Sequence, residues 1–150
     1  MRILVADDDP VSRLILTKAV TRLGHECVAA VDGADAWEKL PGLCPEVVIS
    51  DWMMPNMDGL ELCQRIRTDD RGYTYFILVT ANSEREDRLK GMRAGADDYL
   101  CKPLDPDDLL LRLIAARRVT ALHQRLREQA TELEVLNEKL YRDGRRDPLT

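Results

Sequence analysis

Along the first hundred residues, short and mostly apolar runs alternate with stretches in which apolar residues recur every three or four positions. "ILVA" leads into "VSRLILTKAVTRL", "ECVAA" into "ADAWEKL", "EVVIS" into "LELCQRIR" and "YFILVT" into "EREDRLKGMRA". A last short run, "DYLC", precedes one very long helical pattern. Apolar runs of this length bounded by turn formers read as strands covered on both faces, and the three-to-four spacing reads as amphipathic helix. Five strands separated by helices need βαβ crossovers, so the pattern predicts an α/β fold with a parallel sheet covered on both sides. Pro10 suits the first turn of the first helix, and Gly24, Gly59 and Gly95 fall at element boundaries.

The final helix opens at "DPDDLL", with Asp105 as N-cap, Pro106 at the first helical position, and Asp107 and Asp108 facing the positive end of the helix dipole. No stop signal follows before Gly144 and Pro148, which predicts one helix of nearly forty residues, roughly 55 Å long at 1.5 Å per residue. Within it Val119, Leu122, Leu126, Gln129, Leu133, Leu136 and Leu140 repeat at alternating spacings of three and four. This is a heptad seam with one polar break. Its five leucines are worth roughly 1.5 to 3 kcal/mol each on full burial, so the seam predicts a partner helix and a parallel homodimer. The chain divides accordingly into a globular part over 1–118, a coiled-coil signalling helix over 119–143 and a junction over 144–150.

Composition narrows the function classes. A length of 150 residues allows one ordinary domain with an appendage. The 22 basic and 27 acidic residues give a net charge of -5, which offers no footprint for a nucleic-acid backbone or an anionic membrane. Direct nucleic-acid binding is therefore not expected. Cys27, Cys44, Cys63 and Cys101 form no CxxC pair, so they read as idle or buried thiols. No leader pattern opens the chain and no apolar run is long enough for a membrane span, which predicts a cytoplasmic protein with no membrane contact.

In an open parallel sheet, ligands bind outside the carboxyl ends of the strands. The first strand ends in Asp7, Asp8 and Asp9, the third in Asp51, the fourth in Thr80, and the fifth in the stretch Tyr99 to Lys102. Two carboxylates about 4 Å apart repel by roughly 4 kcal/mol at an effective dielectric of 20, so the cluster calls for a cation. Oxygen ligands with room for water fit Mg²⁺. A Mg²⁺ site beside a carboxylate nucleophile, with Thr80 and Lys102 left to hold phosphoryl oxygens, is the equipment for phosphoryl transfer onto Asp51.

"ILVADDDP", "VVISDWMMPNMDG", "LVTA" and "GADDYLCKP" resemble, in order and spacing, the four signature stretches of the CheY-like receiver domain of two-component response regulators. The resemblance covers about residues 1–118. It implies a flavodoxin-like doubly wound fold with strand order 2-1-3-4-5, and phosphorylation of Asp51 by a sensor histidine kinase or phosphotransfer protein. Asp8, Asp51 and the backbone carbonyl of Met53 are then the implied Mg²⁺ ligands, with Asp7 acting through a water. Thr80 and Lys102 are implied to contact the phosphoryl group, and Tyr99 to swing inward when Thr80 moves. The Lys102–Pro103 peptide is implied to be cis, and Met53 and Asn82 to flank the path of the hydrolysing water. So read, the chain is a phosphoacceptor switch with self-catalysed phosphoryl transfer rather than an enzyme in its own right.

A phosphatase is the competing class. "ILVADDDPV" also satisfies the DxDx[TV] pattern of haloacid-dehalogenase-like hydrolases through Asp7 and Asp9. That family places a second acidic pair just after a strand, whereas Asp97 and Asp98 stand at the start of "DYLC". At the other end, "DPLT" after a receiver and a coiled-coil helix resembles the opening of a GGDEF diguanylate cyclase domain. The chain then reads as the regulatory part of a longer cyclase, with a stand-alone receiver or dimeric scaffold as the alternative.

Overall fold

The computed structural model describes residues 1–69, 72–81 and 85–144. Five strands, β1 (Arg2–Ala6), β2 (Glu26–Ala30), β3 (Val47–Asp51), β4 (Tyr75–Thr80) and β5 (Asp98–Cys101), form one parallel sheet in the order β2-β1-β3-β4-β5. The helices between and after them are α1 (Pro10–Arg22), α2 (Gly33–Leu43), α3 (Gly59–Thr68), α4 (Arg85–Arg93) and α5 (Pro106–Gly144). This is the flavodoxin-like doubly wound arrangement expected from the sequence.

Strand side chains alternate between faces, so the apolar runs supply two cores at once. Leu4, Val48, Phe76 and Leu78 point to the side where α2 and α3 bring Leu40, Leu62 and Ile66. Ile3, Val5, Ile49, Ile77 and Val79 point the other way, onto Leu16 and Val20 of α1 and Leu109, Leu113 and Ala116 of α5. Central strands β3 and β4 are buried along their whole length.

One boundary differs from the sequence reading. The helical pattern "ADAWEKL" stops ahead of Pro41, yet α2 runs through Pro41 to Leu43. Pro41 lies in the last turn, where its missing N–H removes a single bond, and Cys44 closes the helix in the left-handed region (φ 48°), donating its N–H to the Leu40 carbonyl. Asp51 is the last residue of β3, where the sequence places it, in register with Val79.

Helix α5 is continuous over 39 residues, with the Asp105 carboxylate accepting from the Asp107 N–H at 3.0 Å. Its first turns belong to the body, and Val119, expected in the seam, packs partly buried against the α1/α5 core. The His123 ring then stacks on Tyr73, 3.8 Å between centroids and 6° from parallel. From Ala121 to Asp143 every residue is exposed. Among the described residues no helix is long and apolar enough to cross a membrane. The stop at Pro148 and the "DPLT" tail lie outside the described residues, as does Asn82.

Candidate functional site

Four of the five strands deliver chemistry at their carboxyl ends, on one edge of the sheet. Asp7 and Asp8 follow β1, Asp51 ends β3, Thr80 ends β4, and Lys102 follows β5. Asp9, next in the acidic run, turns away to cap α1, accepting from Ser12 N at 3.2 Å and from the Ser12 hydroxyl at 2.9 Å. Hydrogen bonds across the strand ends hold the loops together: Asp7 N donates to Ala30 O (3.2 Å), Trp52 N to Val79 O (2.9 Å) and Lys102 N to Thr80 O (2.8 Å). The Lys102–Pro103 peptide is cis, as the resemblance implied.

Asp7, Asp8 and Asp51 each offer a carboxylate oxygen within 4.8 Å of the other two. Asp7 is fully buried, Asp51 is 9% exposed and Asp8 is exposed. Lys102 Nζ lies 3.3 Å from Asp51 Oδ2 and 3.6 Å from Asp7 Oδ2. The second distance is an ion pair without a hydrogen bond, and Asp7 Oδ2 is buried with no hydrogen-bond partner. Such an oxygen costs a few kcal/mol unless a ligand meets it, roughly 1–3 for a neutral group and more for a charge. Three carboxylates against one ammonium also leave two negative charges in excess. A divalent cation held by Asp7, Asp8 and Asp51 answers both deficits, and an all-oxygen set suits Mg²⁺.

The titration behaviour has the same origin. Burial first, and the Asp7 carboxylate second, push the Asp51 carboxyl above its ordinary value, against the pull of Lys102. For Lys102, burial works against the charge, but Asp51 and Asp7 outweigh it and hold the ammonium above its ordinary value. Magnesium should therefore stabilise the protein, by about 2.7 kcal/mol at a hundred times its dissociation constant, a gain that urea unfolding with and without Mg²⁺ measures. Asp8→Ala, which removes an exposed side chain and leaves no cavity, should abolish most of that gain while the metal-free midpoint holds. An unchanged Mg²⁺ response would exclude Asp8 as a ligand.

Tyr99 was expected to swing inward on activation. Here it is already buried, beside Thr80. Trp52 meets its ring edge-on at 6.4 Å, and the Arg88 guanidinium lies 5.6 Å from its centroid. Burial holds its phenol above the ordinary value. Met53 is exposed two residues beyond Asp51. Sequence reasoning missed Arg13, whose Nη1 donates to the Asp7 carbonyl at 2.9 Å, because nothing in "DDDPVSR" distinguishes it from a surface arginine.

The acidic pair Asp97 and Asp98 sits at the opposite edge, at the amino end of β5. There Asp97 accepts from Arg67 Nη2 (2.6 Å) and the Tyr73 hydroxyl, and Asp98 pairs with Arg112 (3.0 Å). Neither can serve the Asp7–Asp51 cluster, which removes the second acidic pair that the phosphatase reading needs.

A family model described as the response regulator receiver domain matches residues 3–114. The chain belongs to this family. Receivers are phosphorylated by histidine kinases and bind Mg²⁺ through an acidic pocket, and this receiver has the acidic cluster. It is 36% identical to the DNA-binding dual master transcriptional regulator RpaA of Synechocystis over 138 residues, 91% of this chain and 56% of that protein. To the transcriptional regulatory protein TcrA of Mycobacterium tuberculosis it is 39% identical over 118 residues, 79% of this chain and 46% of TcrA. The Francisella response regulator 1452 receiver domain superposes with a TM-score of 0.74 at 31% identity, covering 79% of this receiver and 98% of that chain. The receiver spans about half the length of the curated relatives it matches.

Proposed function

We propose that the chain is a Mg²⁺-dependent phosphoaspartate switch, with Asp51 as acceptor and a sensor histidine kinase or phosphotransfer protein as donor. The observation that carries this reading is the meeting of Asp7, Asp8, Asp51 and Lys102 at one sheet edge, with Asp7 Oδ2 left without a hydrogen bond. An Asp51 carboxylate oxygen attacks the phosphorus of a phosphohistidine. The P–O bond forms as the P–N bond breaks, and the electron pair returns to the imidazole. When bound, Mg²⁺ supplies neutralisation of the charge shared by carboxylate and phosphoryl oxygens. Asp7, Asp8, Asp51 and the Met53 carbonyl would hold it. Lys102, drawn toward Asp51, takes a phosphoryl oxygen, and the Thr80 hydroxyl takes another. Because Thr80 lies beside Tyr99, that movement reaches the Trp52 and Arg88 contacts.

The donor needs a landing place next to Asp51. Val11, Leu14 and Ile15 are exposed on α1, which starts directly after the acidic loop. An apolar patch rimmed by carboxylates fits a helical face of the donor. In transfer assays with a panel of autophosphorylated sensor kinases from the source genome, L14K with I15K should slow transfer at least tenfold. Labelling by acetyl phosphate, which needs no docking, should stay within twofold. Equal loss in both assays would overturn the docking surface, and no transfer to the wild-type chain from any kinase would overturn the donor class.

The stalk of α5 carries the change to an output, with 1–118 as the switch, 119–143 as a dimeric coupling helix and 144–150 as the junction. Support for a diguanylate cyclase output comes from the "DPLT" tail together with the leucine seam. A second reading, a DNA-binding output, has the names of the matched relatives behind it, which are transcriptional regulators. The codons that follow Thr150 in the source gene separate the two, by a GGDEF stretch or a basic DNA-reading helix.

A further inference from the structure

One loop carries Asp7 and Asp8, a second follows Asp51 and carries the Met53 carbonyl, and one corner of the fold braces both. The β1–α1 loop is tied to β2 by Asp7 N donating to Ala30 O. The β3–α3 loop, residues 52–58, is tied to the start of α2 two and three residues further on. There Gly33 N donates to Met57 O at 3.1 Å, and Asn56 Nδ2 donates to Asp32 Oδ2 at 2.8 Å. The approach is close: a Cβ on residue 33 would lie 2.1 Å from the Met57 carbonyl oxygen. Asn56 holds a left-handed backbone, φ 69°, which turns its amide toward Asp32.

Asp32 does more than cap a helix. Its Oδ1 accepts from Asp35 N at 2.7 Å, which is all an N-cap requires, and its Oδ2 is given to Asn56. It is nearly buried, so neither bond is exchanged cheaply for water.

We propose that Asp32 and Asn56 form a latch that positions the β3–α3 loop for the cation, so that this hydrogen bond sets the affinity of the acidic site for Mg²⁺. The latch rests on the phosphoaspartate reading of the site. Magnesium demands ligands near 2.0–2.1 Å in octahedral order, a narrower tolerance than a loop end achieves unaided. Outer contacts that orient ligands are worth about 10–100-fold in metal affinity when removed. Asp32 and Asn56 are positioning residues here, since neither belongs to the cluster itself.

Asn56→Gly keeps the left-handed backbone and the local charge and deletes only the bond; Asp32→Ser keeps a capping oxygen and deletes the same bond. Magnesium affinity is read two ways: by Trp52 fluorescence in a Trp37→Phe background, and by the Mg²⁺ dependence of the urea midpoint. Each single variant should weaken Mg²⁺ binding about tenfold. The double variant should be no weaker than the worse single, because both changes remove one shared interaction. Unchanged Mg²⁺ affinity with a lowered metal-free midpoint would reduce the pair to a fold contact and overturn the latch alone. Effects that multiply in the double variant would also overturn it. No saturable Mg²⁺ binding by the wild-type chain in either readout would overturn the phosphoaspartate reading and the latch with it.

Discussion

Incubated with acetyl phosphate and Mg²⁺, the chain should gain one phosphoryl mass, and Asp51→Asn should gain none. The expected loss is complete on the time scale of the wild-type reaction, because a carboxamide offers no anionic oxygen to the phosphorus and no other carboxylate stands at the end of β3. Acetate leaves as the P–O bond to Asp51 forms, so mass spectrometry of the intact chain reads the event directly. Label that persists in the variant, or maps to Asp7, would overturn the acceptor assignment. The same substitution has a signature without any phosphoryl donor. Burial and the Asp7 carboxylate raise the Asp51 carboxyl above its ordinary value, so the folded state holds that proton more tightly than the unfolded chain. Below the ordinary carboxylate range both states are protonated and nothing is lost. As the pH rises through that range the unfolded chain ionises first, and folding loses stability until the raised value is passed. Metal-free Asp51→Asn should therefore outlast the wild type in urea at pH 7, by a margin that shrinks as the pH falls. Saturating Mg²⁺ should reverse the order.

The strands were legible as short apolar runs between turn formers. "ECVAA", "YFILVT" and "DYLC" coincide with β2, β4 and β5 residue for residue, although of these only β4 is buried throughout and the edge strands β2 and β5 are partly exposed. The acidic cluster was legible for a related reason: the carboxyl end of each strand can be counted from sequence, and the ends share one edge. What depended on distant partners was not. The helix through Pro41 survives because one lost bond in a last turn is affordable, which no local preference announces. Val119 fits a heptad seam as well as it fits a core, and contact with the body of the fold decides between them. Asp32 and Asn56 are 24 positions apart, each beside a glycine or proline turn, and sequence offers only the turns. The inward Tyr99 belongs with these, because its place depends on Thr80, Trp52 and Arg88 from three other elements.

The stalk should make the chain a parallel dimer, and the expected effect of breaking its seam is loss of that dimer at micromolar concentration. Leu122, Leu126, Leu133, Leu136 and Leu140 are all exposed, Leu133 to 67%, on a helix that has left the body. At 100° per residue they line one side of α5, and Thr120, Gln124, Arg127 and Thr131, which border the cleft beside Tyr73, lie roughly half a turn around it. A second stalk can therefore approach the seam without meeting its own body. An isolated helix gains little from propensity and needs its apolar stripe covered, and full burial is worth roughly 1.5 to 3 kcal/mol per leucine. Gln129 replaces one seam leucine, and a single polar seam residue fixes register at some cost in stability. Parallel pairing also brings the two C-terminal ends of α5 together, where paired outputs can meet. Sedimentation equilibrium on residues 1–150 should give the dimer mass, and a version ending at Arg118 the monomer mass. L133D with L136D places four carboxylates in the paired seam and should return the full chain to monomer with the body still folded. A full chain that sediments as a monomer throughout the micromolar range would refute the stalk. A dimer that tolerates both aspartates would move the contact to the body, where Leu110, Leu111 and Ile114 of α5 are the exposed apolar alternative.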